Sequence, residues 1–374
     1  MSIRNKSLIP FIVISAPAKP KPKYKYVKVM TGDNVISTTK VDNFNNNYIA
    51  TQDSALFTEF YILGKKLYRN TGSSVSLLSN SDYVSCCANY PKDFDNAYNR
   101  ALFCLADGNL QCYCPDAAAN NQWGSVYKSS STDKYIKVSG TPCFRWELAL
   151  ALIQHGNNTC EVMSVESGVS TANQSCTTTN FVYPSKQATG SQYTIDICGG
   201  VARPAFSRWG YILQANNAVY KFQPANQSWS SSAYPDSNIS LLASNIKYIS
   251  CRSNADNTFA GITTDNYWQI NSTKRTDVKV KAITAGDGTY NYAIGYDDNA
   301  LYYRPSGANS TITKLDATGN WTSLAQGVNS SYCMGIKDGK LYKLTGTTIS
   351  QITAAGSGCI QIQGTDRYLL YCEE

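Results

Sequence analysis

The sequence predicts an all-β protein whose strands come in repeated groups of four, the arrangement of a β-propeller. Three observations carry that expectation. The first is a recurring phrase: an apolar run, a tight polar turn, then an apolar run with an aromatic. Its clearest copies are Tyr292-Ala-Ile-Gly-Tyr-Asp-Asp-Asn-Ala-Leu-Tyr-Tyr303 and Tyr332-Cys-Met-Gly-Ile-Lys-Asp-Gly-Lys-Leu-Tyr-Lys343. Segments 259–268 and 102–111 share the shape, 60–68 is a looser early copy, and 359–371 is the last. The second is a strand-like segment ahead of each hairpin, seen in the similarity of 77–86 to 241–251 and in 135–139, 193–197 and 280–284. The third is composition. Only 16% of the 374 residues are charged, while Tyr reaches 27 and Trp 6, which suits short strands with aromatics packed between sheets.

The turns explain the hairpins. Asp107-Gly108, Gly156-Asn157, Asn216-Asn217, Asp265-Asn266, Asp298-Asn299 and Asp338-Gly339 each separate two apolar runs. Gly, Asn and Asp tolerate the positive φ that a tight hairpin requires. A unit of one inner strand, a hairpin and a variable outer segment has two apolar faces that only neighbouring units can cover. Closing the ring removes the exposed sheet edges an open array would leave. Seven blades are expected, with six or eight as alternatives, because the first and last copies can complete one shared blade. In that arrangement the strand near Tyr368–Cys372 pairs beside strands near Tyr48–Tyr68. Insertions around 115–132 and 164–190 interrupt the rhythm.

The strand–turn–Leu-Tyr pattern in 293–302 and 334–342 resembles the tectonin family and the propellers related to the regulator of chromosome condensation. The resemblance covers residues from about 45 to 374; the earlier units are degraded, and their Gly and Trp positions form no clean series. It implies a lectin-like or protein-binding role without choosing a ligand, and carries no nucleotide-exchange activity to this chain.

The net charge of +7 is local. Arg4, Lys6, Lys19, Lys21, Lys23, Lys25 and Lys28 occupy the first 28 residues, which hold no acid, so 33 − 7 leaves 26 basic residues against 26 acidic ones. The body therefore has no gross electrostatic reason to bind nucleic acid. Residues 1–28 read as an extended arm and 29–374 as the propeller. Leu8, Ile9, Phe11, Ile12, Val13 and Ile14 form an apolar run that is too short to span a bilayer and imitates a weak secretion signal. The preferred reading is docking on a neighbouring subunit, with Lys19, Lys21, Lys23 and Lys25 on a stiff, Pro-interrupted connector.

Thirteen cysteines point to an oxidising destination with several disulfides, buried reduced thiols being the alternative. Nine N-x-S/T sequons are compatible with glycosylation, though a chain rich in Asn, Ser and Thr produces them by composition. His155 is the only histidine and precedes a turn, so a His-rich metal centre cannot be built, and no partner motif marks it as the base of a Ser or Cys nucleophile. The acidic turns lack the dense oxygen series of a calcium loop, and no Gly-Lys-Ser/Thr element marks a phosphate loop. The sequence thus predicts no cofactor, no metal and no catalysis. It predicts instead a structural or interaction protein of an extracellular, cell-surface or virion assembly, with a secreted carbohydrate-binding propeller as the alternative. Trp268, Tyr302 and Tyr303, just after turns, are the candidate partner or glycan surface.

Overall fold

The computed structural model describes residues 26–31, 34–40, 48–50, 59–71, 74–88, 101–113, 123–126, 130–140, 147–156, 160–167, 169–170, 175–176, 182–184, 194–202, 207–222, 239–251, 259–284, 290–305, 307, 309–326, 332–364 and 367–373. The segment Leu8–Ile14 and Lys19, Lys21, Lys23 and Lys25 lie outside them.

The strands run in chain order as follows. β1 (Tyr26–Thr31) and β2 (Asn34–Lys40) come first, then β3 (Tyr48–Ala50), β4 (Glu59–Leu63), β5 (Lys66–Asn70) and β6 (Val75–Ser79). Next are β7 (Tyr83–Ala88), β8 (Ala101–Leu105), β9 (Leu110–Tyr113) and β10 (Trp123–Val126). β11 (Lys134–Gly140), β12 (Glu147–Gln154), β13 (Cys160–Ser167), β14 (Val169–Ser170), β15 (Ser175–Cys176) and β16 (Val182–Pro184) follow. Then come β17 (Thr194–Ala202), β18 (Ser207–Gln214), β19 (Val219–Phe222) and β20 (Ile239–Ala243). β21 (Ile246–Cys251), β22 (Phe259–Thr263), β23 (Tyr267–Ile270), β24 (Thr273–Ile283), β25 (Tyr290–Gly295), β26 (Leu301–Pro305) and β27 (Thr313–Asp316) form one run. β28 (Trp321–Gln326), β29 (Cys333–Lys337), β30 (Lys340–Thr345), β31 (Thr348–Gln351), β32 (Cys359–Gly364) and β33 (Arg367–Cys372) end the chain.

All pairings are antiparallel. Among the described residues these strands make six four-stranded sheets, one seven-stranded sheet (β21 to β27) and one small hairpin (β14–β15). Each sheet is a meander in chain order, with one exception: β2-β1-β33-β32 joins strands from both ends of the chain. β33 therefore pairs with β1, Val27 opposite Tyr371 and Val29 opposite Leu369, and not with the 48–68 region expected from the sequence. The run Tyr-Val-Lys-Val-Met hides an alternating strand inside a stretch that reads as a basic tail. Val27 and Val29 face Tyr61, Leu63 and Tyr371, while Met30 packs with Met334, Ile336, Leu341 and Leu370. β1 thus contributes to two cores, one on each side of its sheet, and Lys28 Nζ donates to the Ala355 carbonyl.

The cores sit between successive sheets. Phe60, Ile62 and Leu67 meet Tyr83, Cys86 and Tyr113; Leu152 and Cys160 meet Ile197 and Ile212; Tyr211 and Val219 meet Ile246 and Phe259. Tyr292 and Leu301 likewise meet Trp321, Cys333 and Leu344. This is why every unit needs two apolar faces.

One hydrogen bond recurs at the joints. The turn after the second strand of a repeated unit presents a carbonyl to the segment that opens the next unit, which at Val280 lies within β24 of the same seven-stranded sheet. Tyr83 N–H donates to Lys65 O (2.8 Å), Tyr135 to Gly108 (3.0 Å), Ile246 to Asn217 (2.9 Å), Val280 to Asn266 (2.7 Å), Trp321 to Asn299 (3.1 Å) and Cys359 to Gly339 (2.8 Å). All six acceptor residues have positive φ, between 53° at Asn299 and 87° at Gly108. At Gly108 a side chain is also sterically forbidden, since an added Cβ would lie 2.9 Å from the Lys134 Cα.

Two outcomes are expected. A chain beginning at Tyr24 should unfold at nearly the temperature of the full chain. One beginning at Asn34, which lacks β1, should lose its cooperative transition, because Tyr61, Leu63 and Met334 lose their cover. Thermal unfolding followed by circular dichroism compares them. In the same assay Asn217→Val should lose about 1–2 kcal/mol, the cost of a left-handed non-glycine residue, while Asn217→Gly stays near the parent.

Candidate interaction face

The joint hydrogen bond coincides with an irregularity in each strand that makes it. Beside the opening N–H given to the preceding unit, the strand slips by one residue against its own partner. Register shifts occur at Tyr83/Ser85, Tyr135/Lys137, Thr194/Asp196, Ile246/Tyr248, Val280/Ala282, Trp321/Ser323 and Cys359/Gln361. The residue left out of each ladder is Val84, Ile136, Ile195, Lys247, Lys281, Thr322 or Ile360. Bulges of this kind re-aim side chains out of the pleat.

In chain order the bulge residues divide by chemistry. Val84, Ile136 and Ile195 are apolar, and Ile136 and Ile195 remain 36% and 44% exposed. Lys247 and Lys281 are basic and exposed. Each ammonium donates to the side-chain oxygen of its own sheet's turn asparagine, Lys247 to Asn266 and Lys281 to Asn299. Those asparagines therefore serve twice, the backbone carbonyl holding the next unit and the amide oxygen steadying a lysine. Tyr248 and Tyr296 are 45% and 48% exposed beside them, with Lys247 Nζ 5.9 Å from the Tyr296 ring centre. Lys137 and Asp196, each next to a bulge, form an ion pair between neighbouring sheets. A cavity of about 430 Å³ opens at the same end, lined in part by Lys281, Asn299, Thr322, Asp338, Cys359 and Ile360.

The sequence-derived residues fall elsewhere. Trp268 is fully buried in β23, packed with Ile262, Ile270 and Val280 under the Arg304 guanidinium, 5.5 Å from its ring centre. It cannot present a face to a ligand at the surface; the expectation is corrected because the turn before it tilts the indole into the core between β22 and β24. Tyr302 and Tyr303 are half-buried. The Tyr302 hydroxyl donates to Asp298 Oδ2 (2.8 Å), and Tyr303 packs 5.4 Å from Tyr292. Both lie on β26, the third strand of its unit, and neither belongs to the row of bulge residues. That row was missed because it shows as a break in strand alternation, Ile246-Lys247-Tyr248, which in sequence looks like a slightly irregular strand.

Asp298 anchors its turn. Its carboxylate accepts from Ala300 N (3.0 Å), Tyr302 Oη and Lys314 Nζ (both 2.8 Å). Burial works against the charge, but the Lys314 ammonium, the Ala300 N–H and the Tyr302 hydroxyl outweigh it and hold the carboxyl at about 2. Gly295 is required here, since a Cβ would fall 2.0 Å from Asp298 Oδ1. Asp316 makes a parallel anchor, accepting from Trp321 Nε1 (3.0 Å), Lys337 Nζ (2.7 Å) and Thr318. Burial again opposes its charge, and these donors, led by Lys337, hold its carboxyl well below the usual range.

His155 Nδ1 lies 3.0 Å from Asp133 Oδ1 just before a turn, in keeping with the expected turn role. Among the described residues no cluster of three His, Cys, Asp or Glu could hold a metal ion, and no helix is long and apolar enough to cross a membrane. Among the described side chains no disulfide joins Cys86, Cys87, Cys160, Cys198, Cys333, Cys359 and Cys372 to one another.

No protein-family model matches the chain, and no curated protein matches it in sequence. Among solved structures it is similar to the WD40 domain of SCAP from fission yeast. That likeness has 9% identity and a TM-score of 0.53 over 88% of this chain and 95% of that one. It is also similar to the β-propeller domain of Cps50 (Swd1) from Myceliophteria thermophila, at 8% identity and TM-score 0.46 over 89% and 99% of the two chains. Virginiamycin B lyase from Staphylococcus aureus is similar at 9% identity and TM-score 0.42, over 93% and 99%. The SCAP likeness shows the fold alone: this chain is of the β-propeller type. The tectonin resemblance has no matching family model behind it.

The Asp298 anchor gives a pH test. Its folded pKa lies below its ordinary value of 3.8, so its charge stabilises the fold fully above that value and loses its effect as pH falls toward 2. The stability difference between the parent and Asp298→Asn, measured by urea unfolding, should therefore be largest near neutrality and shrink between about pH 4 and pH 2. A difference independent of pH would remove the charge from the account.

Proposed function

We propose that this protein is a non-catalytic interaction scaffold: a closed eight-bladed propeller that uses the bulge-residue end to receive a protein partner. Eight rather than the expected seven follows from counting β24 twice. Its residues 273–279 pair with β23 and its residues 280–283 with β25, so it is the outer strand of one unit and the inner strand of the next. The seven-stranded sheet then supplies two blades, and the six four-stranded sheets supply the rest. Closure falls to the β2-β1-β33-β32 sheet.

The observation that carries the interaction reading is the exposed row itself. Ile136 and Ile195 offer apolar area, Lys247 and Lys281 offer charge, and Tyr248 and Tyr296 offer aromatic edges, the first five on strands and Tyr296 in the turn after β25. Interfaces draw on this mixture of aromatic and apolar anchors within a polar rim. The arm at 1–25 belongs to the same proposal, with Leu8–Ile14 docking on a neighbouring subunit in an extracellular, cell-surface or virion assembly. The exposed rings of Tyr248 and Tyr296 favour a second reading, a carbohydrate-binding propeller, because flat aromatic faces suit sugar rings.

Sedimentation velocity of three proteins tests the choice: the full chain, a chain beginning at Tyr24, and Ile136→Asp/Ile195→Asp. Concentration-dependent assembly of the full chain, lost in the truncated chain and weakened in the double variant, is the expected outcome. Monomers throughout, together with saturable binding of one sugar class on a glycan array, would overturn it in favour of the lectin reading.

A further inference from the structure

Cys359 and Cys372 stand apart from the other thiols. They are direct partners in the β32–β33 register, and among the described residues no other cysteine faces a cysteine across a ladder. Their sulfurs are 3.7 Å apart, with the Cys372 thiol donating to Cys359 Sγ. Directly opposed residues of an antiparallel pair hold their Cβ atoms about 4.5–5.5 Å apart. A disulfide needs about 3.5–4.5 Å between Cβ atoms and about 2.05 Å between sulfurs. Closing the bond therefore asks for side-chain rotation and a small approach of the strands. The ladder is already irregular at that point, where Ile360 is left out of register.

The two sulfurs differ in access and in charge. Cys359 is 4% exposed and is among the residues lining the 430 Å³ cavity, whereas Cys372 is 1% exposed and does not line it. The hydrogen bond from Cys372 holds the Cys359 thiol below its ordinary value, burial opposing and the nearby Lys28 ammonium assisting. The same bond, with burial, drives Cys372 far above its own. An oxidant in the cavity reaches Cys359 before Cys372, so Cys359 is placed to attack and Cys372 to resolve.

We propose that Cys359 and Cys372 are a peroxide-reactive dithiol that closes to a cross-strand disulfide in the sheet joining the two ends of the chain. The oxidant is a hydroperoxide, which the cavity admits to the Cys359 sulfur. The Cys359 thiolate attacks the O–O bond, an S–O bond forms, the O–O bond breaks, and the departing oxygen takes a proton to leave as alcohol or water. Cys359 is now a sulfenic acid, oxidised by two electrons that reduced the peroxide. The Cys372 sulfur then attacks the Cys359 sulfur; the S–S bond forms, the S–O bond breaks, and hydroxide leaves as water with the Cys372 proton. The sum is two thiols and one hydroperoxide giving one disulfide, one alcohol or water, and one water. The linkage fastens β32 to β33, against which β1 is paired.

The test is thiol mapping on the full-length reduced protein. It is titrated with hydrogen peroxide, alkylated under denaturing conditions, and its peptides are weighed. A species two hydrogens lighter, in which the Cys359 and Cys372 peptides are joined, should appear while Cys86 and Cys87 are still fully alkylated. Cys372→Ser should stop at a Cys359 sulfenic acid that dimedone labels, and Cys359→Ser should give neither product. Alkylation of both Cys359 and Cys372 at peroxide levels that already oxidise other cysteines would overturn the proposal. The wild-type map decides the matter even if a variant folds poorly.

Discussion

The structure hangs on a carbonyl at the tip of a hairpin. A left-handed residue, Lys65, Gly108, Asn217, Asn266, Asn299 or Gly339, turns its oxygen toward the first strand of the following unit and takes its opening N–H. A single such bond contributes about 0.5–1.5 kcal/mol net, and an unmet buried donor costs more. Each of the six strands that gives away this N–H also slips within its own sheet and leaves one residue out of the ladder. A return set of bonds ties the second strand to the residue before the first: Ala106 donates to Asp82, Thr264 to Asn245, Tyr296 to Lys279 and Glu373 to Gly358. Joint and bulge are therefore one construction repeated.

β1 extends the same logic to the ends of the chain. Val27 and Val29 fill one core and Met30 another, and full burial of such side chains stabilises by about 1.5–3 kcal/mol each. Against a typical domain stability of about 5–15 kcal/mol, three residues on one short strand decide whether the outermost units hold. The Cys359–Cys372 pair lies in that sheet, so a covalent link between β32 and β33 would act where both chain ends meet.

The hairpins were legible because turn chemistry is local: a positive φ favours Gly, Asn and Asp, Lys65 being an exception, and Asp107-Gly108, Asn216-Asn217, Asp265-Asn266, Asp298-Asn299 and Asp338-Gly339 sit between the paired strands of observed hairpins, while Asn157 lies outside the described residues. The segments 135–139 and 280–284 were legible as strands for the same kind of reason, an alternation set within a few residues. β1 was not, since Lys28 disguises a strand whose burial depends on sheets more than 300 residues away in sequence. Trp268 was misplaced because a tryptophan after a turn looks the same whether its ring faces solvent or core, and only the packing of β24 settles it. The bulge row lay out of reach for a related cause: each bulge coincides with a hydrogen bond to a different unit, which no local pattern records. β24 is one eleven-residue strand whose two ends pair with different neighbours, a division no local pattern records.

Native-state hydrogen exchange at the joint amides bears most directly on this account. The N–H groups of Tyr83, Tyr135, Ile246, Val280, Trp321 and Cys359 sit at strand ends, where amides without partners exchange quickly. If turn carbonyls of the preceding units hold them, they should exchange as slowly as the central amides of β22 and β29 and open together with them. Rapid exchange at these six positions, with the strand centres still protected, would show sheets packed side by side without the joints on which the fold depends.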